Sequence, residues 1–280
     1  MLVVSNIAWN QHDDLEVLSL LRRHGVGGIE IAPTKIWPDW SGATQKAALA
    51  YARCLQYEGF VTPSMQAILY GKPDLQIFGD EKSHHALYEH MALVADIAEA
   101  LNSKVLVFGA PKNRDRGNLT EDEAFARAVP VFQRLGEICH GRGVTLGLEA
   151  NPTVYGCNFI TNTEESAALV QAVASPGVAL HIDTGGMHMA KEDGANEICK
   201  AGTLIRHVHI SEPNLGHFRE HQIDHMAHAA ALEASCYKSW LSIEMRAEAG
   251  HELDNLDHAC RFVGDVYSRI INRGAQDHAA

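Results

Sequence analysis

Four residues with ligand or acid–base chemistry interrupt otherwise apolar runs: Glu149 in VTLGLEA, Asp183 in VALHID, His209 in IRHVHIS and Glu244 in WLSIEM. Each lies at or near the C-terminal end of its run. Read with the two-residue period of a strand, Leu146, Leu148 and Ala150 share one face, and Thr145, Gly147, Glu149 and Asn151 share the other. The same alternation sets Leu180 and Ile182 against His181 and Asp183. It sets Val208 and Ile210 against His207, His209 and Ser211, and Leu241, Ile243 and Met245 against Ser242, Glu244 and Arg246. Three carboxylates brought to one level repel and raise one another's pKa values. A divalent cation removes that repulsion, and one imidazole with three carboxylates is a sensible ligand set for it.

Such residues converge only if the strands that carry them are neighbours. Strand-like runs recur at 2–9, 27–32, 60–67, 104–110, 144–150, 178–183, 205–211 and 240–245. Amphipathic helical segments fall near 13–24, 43–58, 82–101, 120–141, 163–173, 194–201, 222–235 and 252–272. Capping chemistry marks several of their starts, such as Thr120 with Glu123 and Thr163 with Ser166. Strict alternation calls for parallel strands with crossover helices, and eight units close a barrel. The expected fold is therefore an α/β, single-domain (β/α)8 TIM barrel over 1–273, followed by a flexible tail at 274–280. An open doubly wound sheet lacks its usual Gly-rich turn after the first strand. In a barrel the four residues reach the C-terminal face, where barrel active sites lie.

The chain has 280 residues and a formal charge of −12, so its field opposes a nucleic-acid partner. No run approaches the length of a membrane span, and MLVVSNIAW is too short for a signal peptide. Six cysteines without a CxxC pair read as reduced thiols, which places the protein in the cytoplasm.

The segments LGLEANP, LHIDTGG, HVHISEP and WLSIEM resemble, in order and spacing, the metal-ligand strands of the sugar isomerase/epimerase family of xylose isomerase-like barrels. The resemblance implies that Glu149, Asp183, His209 and Glu244 hold one divalent metal, with Glu149 and Glu244 flanking the substrate as an acid/base pair. It also implies a homo-oligomer, dimer or tetramer. Carboxylate-rich ligation favours Mn²⁺ or Mg²⁺, while the imidazole leaves Co²⁺ or Zn²⁺ open. Two positions depart from the ketose 3-epimerase pattern. Gly186 stands where those proteins have a His three residues after the ligand Asp, the nearest imidazole here being His188. Tyr155 stands where they often carry a second Glu.

A bound Mn²⁺ or Mg²⁺ acidifies the C–H beside a carbonyl, and one glutamate removes that proton to give a metal-held cis-enediolate. Its return to the neighbouring carbon isomerises an aldose to a ketose, and return to the opposite face epimerises. The substrate is thus a sugar, sugar phosphate or polyol. Around it, Lys112 and Arg114 follow strand four as candidate contacts for a phosphate or carboxylate. Arg246 shares the face of Glu244, and His188 and His217 lie on active-face loops. Gln66 ends strand three, and Trp9 and Trp37 are candidates for an apolar wall. Dehydration of an inosose-type polyol uses the same metal and base. A non-catalytic sugar-binding barrel needs no pair of glutamates, and a trinuclear zinc nuclease needs histidines that PSMQA and VFGAP do not supply.

Overall fold

The computed structural model describes residues 1–10 and 14–278. Eight parallel strands form one sheet: β1 (Leu2–Ser5), β2 (Gly28–Glu30), β3 (Ser64–Met65), β4 (Val105–Phe108), β5 (Thr145–Glu149), β6 (Val178–Asp183), β7 (Ile205–Ile210) and β8 (Leu241–Ile243). They are ordered β2-β1-β8-β7-β6-β5-β4-β3, and isolated bridges Gly28↔Val61 and Ile31↔Met65 join the two ends into a nearly closed barrel. Gly28 makes that last approach feasible, because a Cβ there would sit 2.9 Å from the Val61 carbonyl oxygen.

The outer ring is α1 (Asp14–Arg23), α2 (Gln45–Tyr57), α3 (Glu81–Leu101), α4 (Glu121–His140), α5 (Thr163–Val173), α6 (Gly194–Ala201), α7 (His225–Ala234) and α8 (Glu252–Val266), with α9 (Ser268–His278) appended. Strand residues that face the helices, among them Leu146, Leu148, Leu180, Val208, Ile210 and Ile243, are fully buried against this ring. Burying such a side chain stabilises the fold by about 1.5–3 kcal/mol each.

The helices begin where their caps allow. Thr120 and Glu123 form the expected capping box on α4. At α5 the cap is instead Asn162, whose side chain accepts from Glu165 N at 2.9 Å, and Thr163 is already helical. Asn162 is the extended residue there, which is what a cap requires. The helical backbone continues to His278, past residue 274 where the tail was expected to start. Residues 279–280, and residue 13 at the expected start of α1, lie outside the described residues. Among the described residues, no helix is long and apolar enough to cross a membrane.

Candidate metal centre

Register fixes which side chains meet. Glu149 on β5 pairs with His181 on β6, Asp183 with His209 on β7, and His209 with Ser242 on β8. Gly147 has no side chain to fill the axis, and a Cβ there would sit 3.3 Å from the Cβ of His181. The barrel interior here is therefore given to the imidazoles of His181, His207 and His209. The rings of His181 and His209 pack edge to face with centroids 4.3 Å apart.

Single ligand atoms of Glu149, Asp183 and His209 all lie within 4.8 Å of one another. Glu244 joins through its Oε2, 3.1 Å from Nδ1 of His209. All four residues open on, or lie directly beneath, a cavity of about 840 Å³ at the C-terminal mouth of the barrel. Asp183 also caps the short helix Thr184–Met189. Its Oδ1 accepts from Gly186 N at 2.9 Å and from the Ser211 hydroxyl at 2.5 Å. No hydrogen bond to Oδ2 forms among the described residues, which leaves that oxygen for a ligand.

The electrostatics are those of a site that could hold a cation. Burial, then the charges of Asp183 and Glu244, push the Glu149 carboxyl up to about 8. Burial raises that of Glu244 as well. Burial opposes a charged imidazole at His209, yet Glu30 and then Glu244 hold its pKa well above the usual value. Both ring nitrogens of His209 lie close to carboxylate oxygens without the in-plane alignment of a good hydrogen bond. Nδ1 of His209 and the Glu244 carboxylate face each other at 3.1 Å, and both could donate to a divalent ion. The donor set fits a hard or borderline divalent metal.

Glu30 on β2 was not among the expected site residues. It is completely buried, and its carboxylate accepts from Ser64 at 2.6 Å, Ser242 at 2.9 Å and His207 Nε2 at 2.7 Å. Its Oε1 also lies 2.8 Å from Nε2 of His209. Burial would raise its pKa, but His209 and His207 hold it well below the carboxylate range. The signal was present: in GGIEIA one acid breaks an apolar strand on the inward face, as at the four ligand positions.

The remaining expected residues divide. Gln66, Lys112 and Arg246 line the cavity. Gln66 donates from Nε2 to the Ser5 hydroxyl, and Lys112 and Arg246 are exposed at the mouth. Arg114 does not line it. It is fully buried and donates from Nη1 to the main-chain oxygen of Glu149 at 2.7 Å. The guanidinium thus supports the loop after β5 and lowers the cost of a charged Glu149. His188 is exposed and outside the cavity wall, because the short helix turns its last residues away from the axis. His217 is also outside it, with Nε2 3.0 Å from Glu248. Trp9 is buried with its indole N–H on Asp14 at 2.7 Å, and Trp37 packs edge-on against Tyr51. Neither forms a cavity wall.

Two other cavity residues stand out. Asn151 has a buried Oδ1 beside Glu149 with no hydrogen-bond partner among the described residues. Tyr155 has its hydroxyl on Asn214 N at 3.1 Å.

Known proteins place this arrangement in context. Residues 18–265 match the model of the xylose isomerase-like TIM barrel family. An L-ribulose 3-epimerase from Methylomonas sp. (strain DH-1) is 28% identical over 119 residues, covering 42% of this chain and 41% of that protein. The L-ribulose 3-epimerase of Mesorhizobium japonicum is 30% identical over 125 residues, covering 45% and 41%. The alignments therefore span about two fifths of the length of these relatives. The D-psicose 3-epimerase of Clostridium cellulolyticum H10, solved with D-tagatose, superposes with a TM-score of 0.78 at 15% identity over 96% of this chain and 98% of that one. The IOLI protein, solved with a bound zinc atom, gives 0.72 at 20% identity over 96% and 98%. With the family pattern covering most of its length and all eight strands in place, the chain belongs to the xylose isomerase-like TIM barrel family.

Proposed function

We propose that the protein is a divalent-metal-dependent sugar or sugar-phosphate epimerase or isomerase working by proton transfer. The observation that carries this reading is the meeting of three acids and one imidazole at the floor of a large cavity, with Glu149 pushed up to about 8 by burial and its acidic neighbours. Similarity to L-ribulose 3-epimerases supports the class of reaction.

Glu149, Asp183, His209 and Glu244 would hold the metal, which supplies Lewis acidity toward a substrate carbonyl and hydroxyl. The carboxylate-rich set favours Mn²⁺. Glu149 and Glu244 hold and return the proton at the substrate carbon, passing through the substrate's enediolate. Asn151 accepts a hydrogen bond from a sugar hydroxyl through its otherwise unpartnered Oδ1. The apolar wall of Ile68, Leu69 and Leu215 shields the reacting carbon from water.

Proton NMR of ketoses, aldoses and inososes in D₂O with Mn²⁺ tests the proposal. Deuterium should enter at one carbon of one ketose or aldose. Loss of water from an inosose in place of exchange would assign the protein to the dehydratases. No exchange with any of them, in a protein that binds Mn²⁺ tightly, would leave only a sugar-binding barrel.

A further inference from the structure

Below the four ligands, the only carboxylate touching His209 from the barrel interior among the described residues is Glu30, and its surroundings are fully specified. Oε2 takes the hydroxyl of Ser64 at 2.6 Å and Nε2 of His207 at 2.7 Å. Oε1 takes the hydroxyl of Ser242 at 2.9 Å and faces Nε2 of His209 at 2.8 Å. These partners come from β3, β7 and β8, so one buried side chain on β2 is pinned from across the barrel.

A bare nitrogen would set its lone pair against the carboxylate's at 2.8 Å, so the closer approach favours a hydrogen on Nε2, although the ring lies off the ideal hydrogen-bond line. The nitrogen left to bind a cation is Nδ1, which already faces Glu244 at 3.1 Å. His207, held on the same carboxylate, packs with its ring centroid 5.4 Å from that of His209 and limits the ring's swing from below.

We infer that Glu30 is a positioning residue for the metal's imidazole: it fixes His209 as the Nε2–H tautomer and aims Nδ1 into the ligand cluster. This rests on the metal site proposed above. A carboxylate behind a ligating histidine makes the imidazole a better donor and fixes its orientation, and loss of such a partner typically costs 10–100-fold in metal affinity. The competing role is structural, with Glu30 serving only to satisfy two buried imidazoles and two hydroxyls.

Metal affinity and tautomer separate the two roles. Co²⁺ affinity by chelator competition, together with the visible Co²⁺ spectrum, would be compared for wild type, Glu30→Gln and Ser64→Ala. Ser64 bonds to Oε2 of Glu30 and makes no hydrogen bond to His209 among the described residues, so its loss removes one of four contacts of the carboxylate while Oε1 still faces Nε2. Expected is a 10–100-fold weaker Co²⁺ dissociation constant and a shifted spectrum for Glu30→Gln, with Ser64→Ala close to wild type. Long-range ¹H–¹⁵N NMR of Zn²⁺-loaded wild type should show His209 protonated at Nε2, the tautomer that the role of Glu30 requires, and this can be read even if Glu30→Gln does not fold. Wild type unable to take up Co²⁺ would overturn the metal reading and this inference together. Tight wild-type binding with unchanged Glu30→Gln affinity, or His209 protonated at Nδ1 in the zinc form, would overturn the role of Glu30 alone.

Discussion

A Cβ placed on Gly109 would sit 2.0 Å from Oε2 of Glu149. The loop after β4 thus holds open the space in which the carboxylate of β5 lies, and glycine is needed there for its lack of bulk. Gly109→Ala is expected to leave the barrel folded while moving Glu149 from its place. Displacement of a reacting group on the ångström scale costs about 10²-fold in rate. Measurement of kcat and of Mn²⁺ affinity checks this; a variant matching wild type in both would mean that Glu149 is not held where the chemistry needs it.

Glu149→Gln and Glu244→Gln should each lower kcat by about 10²–10⁴-fold, the usual weight of a positioned acid or base. Binding to the native state alone raises stability, by about 2.7 kcal/mol at a hundred times the dissociation constant. In a chain of this size that is a rise in Tm of roughly 5 °C on adding Mn²⁺. Asp183→Asn should shrink this rise. Thermal melts with and without Mn²⁺, after chelation, provide the readout, and an unchanged rise in Asp183→Asn would remove that residue from the ligand set.

Acid sensitivity should come in part from His228 on α7. Burial, and then His225, lower its pKa to about 4, and its Nδ1 has no partner among the described residues. The native state holds this ring neutral while the unfolded chain protonates it near its ordinary value of about 6.5. Its contribution is therefore complete above that value and declines as the pH falls toward 4. By pH ~5 the loss amounts to about 2 kcal/mol. Urea unfolding at neutral and mildly acid pH should show a smaller drop for His228→Gln than for wild type; equal drops would assign the acid sensitivity elsewhere.

Lys72, Lys112 and Arg246 line the cavity mouth of an acidic protein with no carboxylate partner among the described residues. A charge-assisted hydrogen bond to an anionic substrate is worth about 1.5–3 kcal/mol. Lys112→Ala should therefore reduce kcat/KM for a sugar phosphate at least ~tenfold relative to the neutral sugar. A constant ratio across wild type and variant would make Lys112 an ordinary surface charge.

The barrel was legible because each of its eight apolar runs is short and each is followed by an amphipathic helix. The convergence of Glu149, Asp183, His209 and Glu244 was legible because acids and an imidazole break those runs on the inward phase. Residues whose role depends on distant partners were harder to read. Glu30 follows the same inward rule, yet its significance lies in His207, His209, Ser64 and Ser242, which only closure of the barrel brings to it. Arg114 reads as a loop cation until the chain folds it under Glu149. His188, His217 and Trp9 were placed by proximity to strand ends, and proximity along the chain does not fix the direction of a side chain after a turn. Gly109 gave no signal, because a glycine's importance is set by what stands opposite it.

Of the four proposed ligands, Glu149, Asp183 and His209 lie on β5, β6 and β7 and Glu244 directly follows β8, whereas much of the cavity wall comes from 66–73 and 109–113, after β3 and β4. The wall from 66–73 and 109–113 therefore belongs to stretches that carry none of the proposed ligands. Exchange of either wall segment should retune which compound is accepted while the reacting groups stay in place, so this scaffold suits divergence or redesign toward new carbohydrates.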